Sequence, residues 1–242
     1  MQIIGPDIEP QLDWIALTDA LAQGHELPRA EVADSFLYRG DDTLLTRSAW
    51  IDGLGLAIKP AAIFPGNPRR GLTMINGVVN LLDDVSGELR ALVDFHLVTK
   101  WKTAGDSLLS ARRLARPDAR RVLLIGAGHV AESMIDAYRA MIPDAEISIW
   151  NRSPEAARAL ADRREARAVA DLEPAVRDAE IIATATMATS PVLHGEWISP
   201  GTHVDLIGAY RPDMRESDDE LLRRARLFVD SRATTIGHIG EI

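Results

Sequence analysis

The chain has 242 residues, 46% of them hydrophobic, a formal net charge of −9 and no cysteine. That length allows one large domain or two small ones, and the apolar share suffices for a core. The acidic balance argues against nucleic acid or an anionic membrane as partner, and the lack of cysteine excludes disulfide and thiolate chemistry.

Residues Met1 to Asp7 lack the basic and apolar regions of a secretion signal. No run approaches the ~18 apolar residues of a membrane-spanning helix. A soluble cytoplasmic protein is therefore expected. Residues 11–24 read as a helix carrying Leu12, Ile15, Leu17 and Leu21, stopped at Gly24. Residues 31–65 read as β-structure: Ser35–Tyr38, a turn at Arg39–Asp42, then Leu44–Trp50 and Leu54–Lys59, broken by Pro65-Gly66-Asn67-Pro68. Two more strands, Gly77–Leu82 and Leu89–Asp94, precede a helix from about Leu97 to Leu114.

Residues 121–153 carry the most information. The branched run Arg121–Ile125 meets Gly126-Ala127-Gly128-His129-Val130-Ala131 at once, then a helical pattern, then the strand Glu146–Trp150 ending in Asn151-Arg152-Ser153. Strand, glycine turn, helix and strand in that order form the dinucleotide-binding βαβ unit. Gly126 permits the tight turn, Gly128 admits a pyrophosphate to the backbone, Ala131 lets helix and strand pack closely, and the free N–H groups of the helix start hold phosphate. His129 would lie over the pyrophosphate beside Val130. At the tip of the second strand an NAD site usually carries an acid; here Asn151, Arg152 and Ser153 offer an amide, a guanidinium and a hydroxyl, which suit a 2′-phosphate. NADP(H) is therefore expected over NAD(H), with NAD(H) as the alternative.

Pro154–Arg163 and Pro174–Asp178 read as helices, and Ile181–Thr186, His203–Gly208 and Leu227–Asp230 as strands. Ser217 and Glu220 have the spacing of a capping box. The six histidines do not cluster at ligand spacing, so no metal site is expected. Only three of the 27 basic residues are lysines: Lys59, Lys100 and Lys102. In a chain that otherwise uses arginine, a lysine marks a place needing a compact ammonium or an amine able to lose its proton.

Several segments together resemble the ornithine cyclodeaminase and mu-crystallin family: Gly55–Lys59, Phe64–Asn67, Thr99–Ala104, Gly126–Ala131, Trp150–Ser153, Pro200–His203 and Gly208–Glu216. The resemblance implies an α/β protein in which a Rossmann-type parallel-sheet domain accompanies a mixed α+β domain for substrate binding and dimerisation, with catalysis in the cleft between them. The boundaries that follow are 1–112 for the substrate domain, 113–237 for the NAD(P)-binding domain, and 238–242 for the start of a C-terminal return segment that the family continues. It further implies a homodimer acting on an amino acid or cyclic imine by hydride transfer. Lys59 matches the family lysine beside the substrate carboxylate, and Lys102 stands where the family usually has an arginine on the same carboxylate. Arg29, after Pro28, and Arg47 compete as the assisting arginine. Thr103 matches a cofactor-phosphate contact, and Thr184, Ile207 and Gly208 flank the nicotinamide ribose. Tyr210 stands where true ornithine cyclodeaminases carry an aspartate that serves as general base. With a pKa near 10 a phenol cannot do that work at neutral pH, so the branch that reduces cyclic ketimines is expected. The alternatives are an ornithine cyclodeaminase with bound NAD, which turns ornithine into proline and ammonia, and a non-catalytic, NADPH-dependent binder of a small ligand.

Overall fold

The computed structural model describes the backbone of residues 1–242 and the side chains of all except Ala233 and Thr234. The chain divides into two compact units, Met1–Lys102 and Thr103–Ile242, the division falling inside a long helix.

The first unit opens with β1 (Gln2–Ile4), a 3₁₀ turn at Pro6–Gln11 and α1 (Trp14–Gly24). Asp13 starts α1 by accepting the Ala16 N–H at 2.7 Å, which satisfies one of the orphan donors of the first turn. Then come β2 (Glu31–Arg39), β3 (Asp42–Ile51), β4 (Gly55–Ile63), β5 (Ile75–Leu82) and β6 (Leu89–Asp94). These strands form one sheet in the order β1-β6-β5-β4-β3-β2, antiparallel except for the β1–β6 pair. The β2–β3 hairpin turns at Gly40, whose φ of 59° is left-handed and favours glycine. Val79, Ala91 and Val93 form a small core with Ile4 and Val98. The sheet leads into α2 (Phe95–Leu114), started by Asp94 accepting the Leu97 N–H at 2.7 Å.

Trp101 stacks on Trp14 with ring centroids 3.9 Å apart, and its indole N–H donates to Glu9 at 3.0 Å. Glu9 also pairs with Lys100. One of the three lysines thus anchors the N-terminal segment.

The second unit alternates β7 (Arg121–Ile125), α3 (His129–Met141), β8 (Glu146–Trp150), α4 (Pro154–Arg163), β9 (Arg167–Ala168), α5 (Leu172–Asp178), β10 (Ile181–Thr184) and β11 (His203–Leu206), followed by α6 (Asp219–Arg224) and α7 (Arg232–Thr235). All sheet pairings are parallel, in the order β11-β10-β7-β8-β9. The central strands β7 and β10 are nearly continuous apolar runs because helices must cover both faces of such a sheet. Leu123, Ile125 and Ile182 pack with Val176, Leu193 and Leu221 in one core.

Two local expectations need correction. Leu227–Asp230 is irregular rather than a strand, with Leu227 49% and Phe228 54% exposed. A short apolar run becomes a strand only if a ladder partner is present, and the Arg226 guanidinium lies over the Phe228 ring instead. The cap of α6 is Asp218, not Ser217. Asp218 accepts the N–H groups of Leu221 and Gly195, both at 2.9 Å, so it ties the helix start to the neighbouring turn. Among the described residues, no helix is long and apolar enough to cross a membrane, and no group of three or more His, Asp or Glu side chains could hold a metal ion.

Candidate active site

In the first unit the sheet register builds a cationic cluster. Asp34 on β2 lies opposite Arg47 on β3, and Arg47 opposite Lys59 on β4. Residues paired across neighbouring strands share a face. Arg47 donates from Nε and Nη2 to the two Asp34 oxygens, at 2.8 and 2.6 Å. That fork holds the Asp34 carboxyl below its usual range. Lys59 is half-buried, with its Nζ 5.9 Å from the centre of the Phe95 ring. Burial lowers the Lys59 pKa, and the charges of Lys102 and then Arg47 lower it further, against an opposing pull from Asp34. The groups acting on this ammonium are therefore two cations and one carboxylate, an arrangement that favours a small anion as complement.

Arg47, Lys59 and Lys102 are thus brought together. Arg29 is not part of the cluster; it is exposed in the loop between α1 and β2 and, among the described residues, makes no ion pair. Asp34, which holds Arg47 beside Lys59, was missed by the sequence reading. Its signal is only a register, visible once β2 and β3 are paired.

In the second unit the glycine turn has the geometry expected for a dinucleotide. Gly126 has φ 126°, and a Cβ there would lie 2.6 Å from the carbonyl oxygen of Ala185. Only glycine fits. Gly128 begins α3 with no side-chain cap, and nothing lies within 4 Å of where its Cβ would be. Open space therefore faces the uncapped N–H groups of a helix start, as a phosphate requires. His129 is exposed and Val130 half-buried at the first positions of that helix, and Thr103 is half-buried in the interior of α2. At the tip of β8, Asn151 donates from Nδ2 to the Ser153 carbonyl at 3.1 Å, and Ser153 Oγ to Glu155 at 3.2 Å. Arg152 is exposed and, among the described residues, unpaired. These residues fit a dinucleotide whose phosphates sit at α3 and whose adenosine lies over β8.

At the ends of β10 and β11 the structure differs from a direct reading of Thr184. Its side chain is fully buried, and its hydroxyl donates to Glu216 at 2.6 Å. Direct side-chain contact with a ligand is therefore not available to it in this arrangement. Ile207 extends the strand through its N–H to the Thr184 carbonyl at 3.1 Å, and Gly208 donates its N–H to Glu216 at 2.7 Å. Tyr210 is 60% exposed, with the Arg211 guanidinium 5.5 Å from its ring centre. Glu216 itself was missed, because a lone acidic residue in a loop gives no local sign that it will be buried.

The family pattern described as ornithine cyclodeaminase/mu-crystallin matches residues 49–242. The chain belongs to that family. It is 49% identical over 242 residues to the Δ1-pyrroline-2-carboxylate reductase of Paracoccus denitrificans, spanning 98% of this chain and 77% of that protein. It is 34% identical over 189 residues to the mouse ketimine reductase mu-crystallin, spanning 77% of this chain and 60% of that protein. The fold matches the Thermococcus litoralis Δ1-pyrroline-2-carboxylate reductase, solved with NADH and L-proline, at TM-score 0.87 and 24% identity, over 100% of this chain and 79% of that one. It matches a probable ornithine cyclodeaminase of Bordetella pertussis at TM-score 0.85 and 27% identity, over 100% and 78%. The family resemblance and the Rossmann-type α/β class read from the sequence are borne out, and the expectation of an imine reductase agrees with these relatives.

Proposed function

We propose that this chain is an NAD(P)H-dependent reductase of a small carboxylated cyclic imine, also able to run the matching amino-acid oxidation. The observation that carries the reading is Lys59, a half-buried ammonium with a lowered pKa set beside Lys102 and Arg47. Such a cluster binds a carboxylate through charge-assisted hydrogen bonds. Reduction of a C=N bond takes one hydride at carbon and one proton at nitrogen. The reduced nicotinamide supplies the hydride when bound. Lys59 and Lys102 hold the carboxylate, and Lys59, whose proton is held less tightly than that of an ordinary lysine, is the group able to pass a proton. Arg47 holds Asp34 and adds to the positive field. The exposed Tyr210 offers no carboxylate for the acid–base work of a cyclodeaminase.

Arg152 is assigned to a cofactor 2′-phosphate, with Asn151 shaping the turn. Nicotinamide oxidation with pyrroline-2-carboxylate and piperideine-2-carboxylate, run with both cofactors, tests the whole reading. NADPH turnover on one of them is expected. Arg152→Ala should cut the preference for NADPH over NADH by about 10- to 100-fold, the value of one charge-assisted hydrogen bond of about 1.5–3 kcal/mol. No turnover on any imine or keto acid with intact dinucleotide binding would overturn the activity, and an unchanged NADPH/NADH ratio in Arg152→Ala would overturn the cofactor assignment.

A second copy of the chain is assigned to the β2 edge of the sheet. All nine residues of β2 are exposed, including Val32, Phe36, Leu37 and Tyr38, and Phe36 stacks on Tyr38 at 6.1 Å. A long apolar edge of this kind is ordinarily covered. Light scattering should give twice the 26.5 kDa chain mass; a monomer at all concentrations would refute the assignment.

A further inference from the structure

Glu216 is fully buried in the loop between β11 and α6, and its carboxylate accepts four hydrogen bonds. Oε1 takes the Thr186 N–H at 2.7 Å and the Thr186 hydroxyl at 2.6 Å. Oε2 takes the Thr184 hydroxyl at 2.6 Å and the Gly208 N–H at 2.7 Å. Two donors per oxygen fill the capacity of an ionised carboxylate. The Glu216 backbone is fixed as well. Its carbonyl accepts the N–H groups of Val192 and Leu193, both at 2.9 Å, and its N–H donates to the buried Glu241 carboxylate at 2.8 Å. Glu241 also takes the Ser217 N–H at 2.7 Å, although burial pushes its own pKa up.

The donors come from the ends of two adjacent strands. Thr184 and Thr186 belong to β10 and the turn after it, and Gly208 follows β11. The contact is close: a Cβ at Gly208 would lie 2.2 Å from the Thr186 carbonyl oxygen and 2.4 Å from Glu216 Oε1. A dinucleotide lies across the C-terminal ends of a parallel sheet at the point where strand order reverses. Here that point is β7, with β8 on one side and β10 on the other. With adenosine over β8, the nicotinamide half falls over the ends of β10 and β11.

We infer that Glu216 is a positioning residue for the nicotinamide half of the cofactor site: its carboxylate clamps the ends of β10 and β11 into the backbone shape that receives it. The inference rests on the dinucleotide reading of this unit. Glu216→Gln is not conservative here. One amide end must face a backbone N–H with an N–H of its own, since the two backbone donors sit on different oxygens.

The test measures binding of NADPH and of 2′-phospho-ADP-ribose, which lacks nicotinamide, together with hydrogen exchange at the Thr186 and Gly208 amides in the free protein. In Glu216→Gln, NADPH affinity should fall about 10-fold or more while the nicotinamide-free half binds within about twofold of wild type, and both amides should exchange faster. Should that variant fail to fold, Thr186→Val removes one hydroxyl donor, keeps the backbone N–H, and should show the same selective loss at about threefold. Equal weakening of both ligands would reduce Glu216 to a general structural role and overturn the proposal, as would no weakening of either. A wild-type chain that binds neither NADPH nor NADH would overturn the dinucleotide reading itself, a result distinct from normal binding by the variants; a chain that binds only NADH moves the same comparison to NADH and ADP-ribose.

Discussion

Replacing Lys59 with methionine should lower kcat/KM for the imine by about 10²- to 10⁴-fold, the usual contribution of a positioned acid–base group. It should also leave the folded protein at least as stable as wild type. The two effects share one cause. The Lys59 ammonium is half-buried beside Lys102 and Arg47, so the folded chain disfavours its charged form. Its folded pKa lies below the unfolded one. The charge therefore costs stability in full below the folded pKa, and that cost is relieved as pH rises from the folded pKa to the ordinary lysine value. Melting curves of wild type and Lys59→Met should accordingly differ most at neutral pH and converge on the alkaline side of that window. Activity should fall along an alkaline limb set by Lys59, and in Lys59→Arg, whose guanidinium keeps its charge but does not release a proton, the residual activity should lack that limb. A methionine variant within tenfold of wild-type activity would remove Lys59 from the chemistry, and an arginine variant with an unmoved alkaline limb would remove it from the pH dependence.

What the sequence revealed follows from the range over which each feature is determined. The glycine turn, α3 and α4 were legible because their signals are local: a run of branched residues, Gly126, and a proline at the first position of α4, where its missing N–H is no loss. The hairpin strands were legible because turn residues bracket them. Leu227–Asp230 was misread because its apolar character is local, while strand formation depends on a partner elsewhere in the chain. Ser217 and Asp218 are both able to cap α6, and Gly195, more than 20 positions away, decides between them. The site divides in the same way. Lys59 stood out through the rarity of lysine in this chain. Lys100 shared that rarity and proved to be an anchor for Glu9. Glu216 left no trace in pattern because a buried carboxylate is specified by donors brought from separate strands, and Asp34, which is exposed, left none because its partner Arg47 is set only by the β2–β3 register.

Asp205→Ala should destabilise the second unit by about 2–4 kcal/mol. Asp205 on β11 accepts four donors: Ser107 Oγ at 2.9 Å and Tyr138 Oη at 3.0 Å on Oδ2, His203 Nε2 at 3.0 Å also on Oδ2, and Ser110 Oγ at 2.8 Å on Oδ1. Burial, and then the Asp205 charge, push the Tyr138 phenol well above its ordinary pKa, so it remains a protonated donor. Removing the carboxylate leaves one or two buried donors without an acceptor, at about 1–3 kcal/mol each. Ser107 and Tyr138 can still bond each other across 2.9 Å, which keeps the loss below the sum of four bonds. The melting temperature should drop by roughly 5–15 °C. Tyr138→Phe alone deletes one donor and fills the same space, so its cost should be near ~1 kcal/mol. In the double variant the two losses should not add, because each change by itself removes the same Tyr138–Asp205 hydrogen bond. Strict additivity would show that the phenol and the carboxylate act independently. An Asp205→Ala protein that melts at the wild-type temperature would show that solvent reaches this cluster and that it does not hold α2 and α3 to the sheet.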